Sequence, residues 1–96
     1  MNRIPIHSIL AAVAKSFGVS IRQMRGTSHR FDIVMARACY AKISVSMGFT
    51  SDFVAKLICK TKAMISLYLK RHETYLSIAE YQYYYDRLKN YGEAKF

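Results

Sequence analysis

Three lysines, at positions 56, 60 and 62, surround a break between two short segments of helical hydrophobic spacing. Apolar residues repeat with helical period from Thr50 to Ile58 and again after Thr61, so Cys59 and Lys60 predict a tight turn. Two helices joined by such a turn, with cations at the start of the second, suit insertion into the major groove of DNA. The residues predicted to contact DNA here are Lys56, Lys60, Thr61, Lys62, Ala63, Met64 and Ser66.

These side chains offer different chemistry to DNA. Lysine ammonium groups bind phosphate oxygens, whereas Ala63 and Met64 form no hydrogen bond and can only meet a thymine methyl. Ser66, one turn after Lys62, suits a phosphate or a base edge. The alternative is a solvated lysine face, but such faces usually mix charges of both signs, and only Asp52 is near in the sequence. We therefore expect DNA contact of modest sequence specificity.

A second cationic segment precedes a long helical pattern. Residues 25–30 are polar, contain a glycine and carry Arg25, His29 and Arg30, which predicts a basic loop. We expect this loop to lie on an adjacent groove or on the DNA backbone. Arg37, in the helix that follows, is predicted either to neutralise the DNA backbone or to be an ordinary surface charge.

Composition predicts one basic domain spanning residues 1–96. Hydrophobic residues make up 52% of the chain, enough for a core without disulfides or metal. The net charge of +9 is uneven, because residues 1–72 hold twelve Lys and Arg against two Asp, and residues 73–96 hold three against four acidic residues. This excess of positive charge predicts nucleic acid as the binding partner, ahead of an anionic membrane surface. Cys39 and Cys59 both fall in helical apolar patterns, which predicts buried, reduced thiols.

No segment alternates with the period of a strand, so the sequence predicts an all-α fold of five or six helices. The first helix begins at Pro5 and ends at Gly18, and the last begins with a Ser77–Glu80 capping box and ends at Gly92. The domain then divides into a body, residues 1–76, and a tyrosine-rich C-terminal helix, residues 77–96. The remaining predicted helices are a very short one from Ser20 to Met24, a long one from Phe31 to Met47 with one apolar face, and the pair from Thr50 to His72, whose two helices Thr50 and Thr61 are expected to cap. Residues 72–76 either form a linker or continue the second helix of the pair.

The tyrosines of the last helix admit two interpretations. Most share one helical face, which is typical of packing, although an aromatic surface can also stack unpaired bases. Tyr83 falls outside that face, so part of the surface is expected to stay exposed for a protein partner or a homodimer. The residues of the shared face are Tyr81, Tyr84, Tyr85, Leu88 and Tyr91.

From Ile6 to His72 the chain resembles the C-terminal DNA-binding domain of the bacterial replication initiator DnaA, a helical domain of the Trp-repressor-like class. The stretch Ile9–Ser20 looks like the first helix of that family and the start of its short second helix. Ser28-His29-Arg30 is similar to the arginine-containing loop, and Ala36-Arg37 to the Ala-Arg pair of the long helix.

The resemblance implies that a loop arginine, Arg25 or Arg30, enters the minor groove while the second helix of the pair reads the major groove. The sequence departs from the family at that helix, where Thr61–Ile65 replaces an Asp-His-Thr-Thr-Val signature and only the last apolar residue matches. The resemblance therefore does not imply that this chain recognises the usual DNA target sequence of the family. The chain also lacks the nucleotide-binding AAA+ domain, as in stand-alone versions from phages and mobile elements, so ATP-driven origin melting is not expected.

Enzymatic activity is not expected, because no metal-ligand spacing, nucleotide-binding glycine motif or activated nucleophile is present, and no cofactor or metal is predicted. We find no signal peptide and no apolar run of about 20 residues, which predicts no membrane association and a cytoplasmic, nucleoid-associated protein, or one in the host cytoplasm if a phage encodes it. The favoured function is non-enzymatic binding of double-stranded DNA in replication or its regulation. The alternative is a protein-interaction module on a DnaA-like fold that binds a replication or transcription protein.

Overall fold

The computed structural model describes residues 6–93, and every regular element in that range is an α-helix. The prediction of an all-α domain of five or six helices is confirmed. Pro5, the predicted start of the first helix, lies outside the described residues. No helix within 6–93 combines the length and hydropathy needed to cross a bilayer. The helices are α1 Ile6–Phe17, α2 Ile21–Arg25, α3 Phe31–Ser46, α4 Ser51–Leu57, α5 Lys62–Tyr75 and α6 Ala79–Glu93.

Short-range hydrogen bonds explain where α2, α4 and α5 begin. The Ser20 hydroxyl accepts the backbone N–H of Gln23, and the Gln23 side chain accepts the N–H of Ser20, both at 2.9 Å, which closes a capping box around α2. Thr50 and Thr61 each accept the N–H three residues further on, at 3.2 Å, as their positions predicted. Gly18 ends α1 with a φ of 70°, a conformation that glycine adopts without strain.

Helix α3 forms the centre of the molecule. The sequence predicted one apolar face for it, but the structure buries α3 nearly all around, because α1, α2, α4, α5 and α6 all pack against it. Ala38, Cys39 and Ala41 are fully buried, and their small side chains let the neighbouring helices approach closely. The buried Tyr40 donates its hydroxyl to the carbonyl of Val54 at 2.9 Å, which ties α3 to α4.

The structure fixes the boundaries of the last two helices. Helix α5 continues past His72 to Tyr75, so the segment after His72 is largely helix rather than linker. Ser77 does not occupy the N-cap position of α6, which begins at Ala79, and its hydroxyl donates back to the carbonyl of Thr74 at 3.0 Å. Helix α6 then runs through Gly92 to Glu93, so the predicted end at that glycine is also wrong. A serine beside a turn can bond the carbonyl behind it, and one glycine weakens a helix without stopping it.

Helix α6 completes the core with aromatic side chains. Tyr81 is fully buried, and its ring packs edge-on against that of Tyr75 at 5.6 Å between centroids. The Tyr81 hydroxyl lies 2.7 Å from Nδ1 of His72, which is itself buried at 1% exposure. Tyr84 and Tyr85 are half-buried against the same core, and the side chain of Tyr91 lies outside the described residues.

The buried His72–Tyr81 pair predicts a loss of stability in mild acid. Burial, with a smaller effect of the Lys42 charge, lowers the pKa of His72, although Glu73 opposes the shift. The unfolded chain therefore binds a proton at His72 before the folded chain does, so stability is full above about pH 6.5 and falls below it. We expect the free energy of unfolding in urea to drop by up to about 1 kcal/mol between about pH 6.5 and about pH 5.5.

The variant His72→Gln is the control, because it lacks the titrating ring. Its free energy of unfolding should change distinctly less over this pH interval than that of the natural protein. Equal pH dependence of the two proteins would show that His72 does not titrate as its burial requires.

Candidate nucleic-acid interface

The basic loop and the α4–α5 turn lie against each other, although about 34 residues separate them in the sequence. Lys60 donates its Nζ to the carbonyls of Gly26 at 2.6 Å and Arg25 at 3.3 Å. In return, Nε of Arg25 donates to the carbonyl of Leu57, the last residue of α4, at 2.8 Å. Three hydrogen bonds therefore hold the loop next to the turn and fix their relative positions.

The turn itself contains a strained residue. Cys59 has a φ of 57°, the left-handed region that residues other than glycine rarely adopt. Ile58 takes the core-facing position of the turn, so the thiol of Cys59 is exposed. The prediction of a buried Cys59 is wrong because α4 ends at Leu57 and its helical register does not reach the cysteine. Cys39 is buried as expected, and burial raises the pKa of its thiol.

The start of α5 is open to solvent. Thr61, Lys62, Ala63 and Ser66 are all exposed, and Lys56, near the end of α4, is exposed as well. Met64 is half-buried, so less of its side chain is accessible than the sequence led us to expect. Thr61 and the exposed residues in the first turns of α5 thus lie beside the turn that carries Lys60.

Arg37 is a structural residue rather than a surface charge, which corrects both readings of it from the sequence. Only 2% of it is exposed, and its guanidinium donates to four backbone carbonyls. Four of the five N–H donors of this buried guanidinium are bound to the backbone inside the protein, so the group is not available to a phosphate at the surface. The four carbonyls and their distances are Gln23 at 3.1 Å, Met24 at 3.0 Å, Gly26 at 2.9 Å and Ser28 at 2.7 Å.

Arg30 is exposed but not free. Its guanidinium donates to the Asp32 carboxylate at 2.8 Å and 3.2 Å, and this hydrogen bonding lowers the pKa of Asp32 and raises that of Arg30. Because 61% of the Arg30 side chain is exposed, water and salt weaken the pair, and a phosphate can compete for the guanidinium. His29, next to it, is exposed.

Positive charge is concentrated where loop and turn meet. Burial, together with the nearby charge of Arg37, lowers the pKa of Lys60, a sign that cations crowd each other here. Lys70 and Arg71, further along α5, are exposed and extend the positive surface. Asp32 is the one carboxylate of the basic loop and the start of α3, and it is paired with Arg30.

The loop and α5 also enclose a groove that the sequence does not predict. This loop–helix groove has a volume of about 730 Å³, and its walls come from the basic loop, the start of α3, the α4–α5 turn and α5. Phe31, Leu67 and Arg71 line it together with the predicted residues His29 and Lys60. A signal was present in the sequence, since Leu67 is a large apolar residue outside the buried stripe of α5.

The described residues hold no group of three or more His, Cys, Asp or Glu side chains close enough to share a metal ion.

Helix α6 contributes little exposed apolar surface. Tyr83 is 57% exposed, as its position outside the stripe predicted, and it packs against Tyr84 and Arg87.

Arg37 should be essential for the geometry of the interface. We expect Arg37→Met to lower the free energy of unfolding by roughly 3 kcal/mol, because the backbone carbonyls lose a charged donor. Arg37→Lys should fall between this variant and the natural protein, since an ammonium cannot reach four carbonyls at once. Unfolding in urea measures both.

Arg22→Met serves as the matched control, because Arg22 is an exposed arginine of α2. This substitution should lower the free energy of unfolding by less than about 0.5 kcal/mol. If Arg37→Met were as stable as Arg22→Met, the bonds from Arg37 would not be what holds the loop.

Comparison of the sequence with protein-family models and with curated proteins finds no match. The resemblance to the DNA-binding domain of DnaA therefore stays a prediction that depends on the short motifs quoted above. The geometry described here is independent of it, because the loop, the turn and the helix start meet through hydrogen bonds of this chain alone.

Proposed function

We propose that the protein binds double-stranded DNA without catalysis and that α4 and α5 act as a helix-turn-helix. One observation carries the proposal: Lys60 and Arg25 bind the basic loop to the α4–α5 turn, next to the exposed start of α5. Cations that are far apart in the sequence are thereby joined into one surface. Such a basic surface beside an accessible helix end suits the phosphates and major groove of a duplex.

In this proposal the start of α5 enters the major groove. Lys62 and Ser66 share its exposed side, and Ala63 adds apolar contact without a hydrogen bond. Lys56 approaches phosphate from the end of α4, and the basic loop reaches an adjacent groove or the backbone. With few side chains able to read base edges, most of the binding free energy comes from phosphate contacts and is weakly sequence-specific.

The resemblance to the DNA-binding domain of DnaA supports a role in replication or its regulation. The order of the helices, the short α2, the basic loop and the Ala-Arg pair in the long helix all agree with it. A chain of this kind would act in the cytoplasm at the nucleoid, or in the host cytoplasm if a phage encodes it. We no longer propose that Arg37 contacts DNA, because it is buried; instead it holds the basic loop in position.

A protein partner or a homodimer bound through α6 has less support. Tyr81 and Leu88 are buried, and Tyr84 and Tyr85 are half-buried, so Tyr83 is the one strongly exposed tyrosine among the described side chains of that helix. One exposed ring is ordinary for a protein surface. A purely protein-binding role predicts no retardation of random duplex DNA at any salt concentration.

Lys62→Ala tests the proposal directly. We expect the affinity for a duplex of mixed sequence to fall for all sequences alike. The slope of log K against log salt concentration should flatten by about one unit, because one phosphate contact and its released counterion are lost. Fluorescence anisotropy of a labelled duplex over a series of salt concentrations measures both quantities.

Lys89→Ala is the matched control, because Lys89 is an exposed lysine of α6 that is paired with Asp86 at 3.3 Å. It removes the same charge away from the candidate interface, so its salt slope should stay close to that of the natural protein. Identical slopes for Lys62→Ala and the natural protein would remove Lys62 from the interface. Absence of salt-dependent binding by the natural protein would reject DNA binding altogether.

A further inference from the structure

The loop–helix groove is a second candidate binding site, beside the basic surface. One wall is the basic loop with the first turn of α3, and the other is the side of α5 that carries Met64, Leu67 and Arg71. At about 100° per residue, the centre of this side lies roughly 150° around the helix from the centre of the side that carries Lys62 and Ser66. The groove and the proposed DNA-reading side of α5 are therefore different faces of one helix.

Apolar surface is concentrated in this groove. Four large hydrophobic residues are strongly exposed within the described part of the chain, and two of them, Phe31 at 53% and Leu67 at 39%, line the groove. The Phe31 ring is held edge-on against Tyr75, with 5.3 Å between the centroids. Met64 and Val34 extend the apolar lining. Clustered exposed apolar side chains in a concavity mark a place where another molecule binds.

The charge of the groove indicates the chemistry of its occupant. Lys60, Arg71 and His29 line it along with the buried Arg37, and no Asp or Glu is among its lining residues. These cations repel one another, and the pKa of Lys60 is lowered by burial and by the charge of Arg37. An anionic group in the groove would relieve that repulsion, so the groove favours a ligand that is apolar and acidic at once.

The groove is also formed before any ligand binds. Arg37 holds the chain from Gln23 to Ser28 by four hydrogen bonds, and Lys60 holds the carbonyl of Gly26. Both walls are thereby fixed to the core, so little conformational entropy is lost on binding. A volume of about 730 Å³ lies within the range of ligand clefts, roughly 300–1,000 Å³.

Nucleic acid fits this groove poorly. A duplex is far wider than a cleft of this size, and its phosphates gain nothing from the side chains of Leu67 and Met64. A single strand needs several flat aromatic faces, whereas Phe31 is the one strongly exposed Phe or Tyr ring in the lining and the His29 imidazole is the one other exposed ring there. A peptide supplies apolar side chains for the floor and carboxylates for the cationic rim.

We propose that the loop–helix groove binds a short acidic segment of a partner protein, with one or two large apolar side chains seated between Phe31 and Leu67 and carboxylates at Lys60 and Arg71. The inference does not depend on DNA binding, because its apolar lining at Phe31 and Leu67 is outside the proposed DNA interface, although the two sites share His29 and Lys60.

The test titrates the ¹⁵N-labelled protein with a short blocked peptide of Asp, Glu and Ser that contains one Phe and one Leu. Two matched peptides are controls, one with Ser in place of Phe and Leu, the other with Asn and Gln in place of Asp and Glu. We expect the acidic apolar peptide to bind at least about tenfold more tightly than either control. The amide signals of Gly26, Thr27, Leu67 and Arg71 should shift most.

Variants then locate the site. Leu67→Ser and Arg71→Glu change exposed groove residues and should each weaken peptide binding at least about tenfold. Tyr83→Ser removes an exposed aromatic ring of α6, and its affinity for the peptide should stay within about twofold of that of the natural protein. Circular dichroism confirms that each variant is folded. Leu67→Ser should also keep duplex binding within about twofold, since it leaves the charge and the Lys62 side of α5 unchanged.

The failures of the two proposals can be told apart. If the natural protein binds the duplex but not the acidic apolar peptide, the groove inference alone is overturned. If it binds the peptide but not the duplex, the proposal of DNA binding alone is overturned. Equal binding of all three peptides, or shifts that avoid the groove, would also overturn the groove inference. A thymidine oligonucleotide that displaced the peptide and shifted the same amides would assign the groove to single-stranded nucleic acid instead.

Discussion

The structure depends on one buried charge. The guanidinium of Arg37 reaches from the central helix α3 to four carbonyls between Gln23 and Ser28, and Arg37 is the one buried Lys or Arg among the described residues. Backbone carbonyls of an irregular segment need donors when water cannot reach them, and one planar guanidinium supplies several at fixed angles. A loop that would otherwise be free to move therefore takes a single path over α3.

A chain of attachments extends from this charge to the surface. The loop that Arg37 holds offers two of its own carbonyls to Lys60, and Arg25 at its start binds the end of α4. The left-handed backbone at Cys59 aims the turn so that Lys60 reaches back to the loop while Thr61 starts α5. The positive surface is thus a consequence of internal hydrogen bonding. Its cations are held in place by the same bonds that satisfy the backbone.

Helix α5 has distinct surfaces with different chemistry. Ile65 and His72 face the core, the side with Lys62 and Ser66 is open and polar, and the side with Leu67 borders the apolar groove. An amphipathic helix at the edge of a small domain usually needs one buried stripe, and the rest of its surface is available for contacts. The groove is apolar because Phe31 and Leu67, one from each wall, both remain strongly exposed in its lining.

The sequence by itself determined the helices, their order and most of their caps, because hydrophobic period and capping residues such as Thr50 and Thr61 act within a few residues. It also determined the excess of positive charge. Only the tertiary structure decided which cations are available: Arg37 is buried, Arg30 is paired with Asp32, and Lys60 is half-buried and bonded to the loop. The loop–helix groove likewise exists only in three dimensions. The physical reason is range, since helix formation depends on neighbours along the chain, whereas burial, pairing and concavity depend on segments about 35 residues apart that packing brings together.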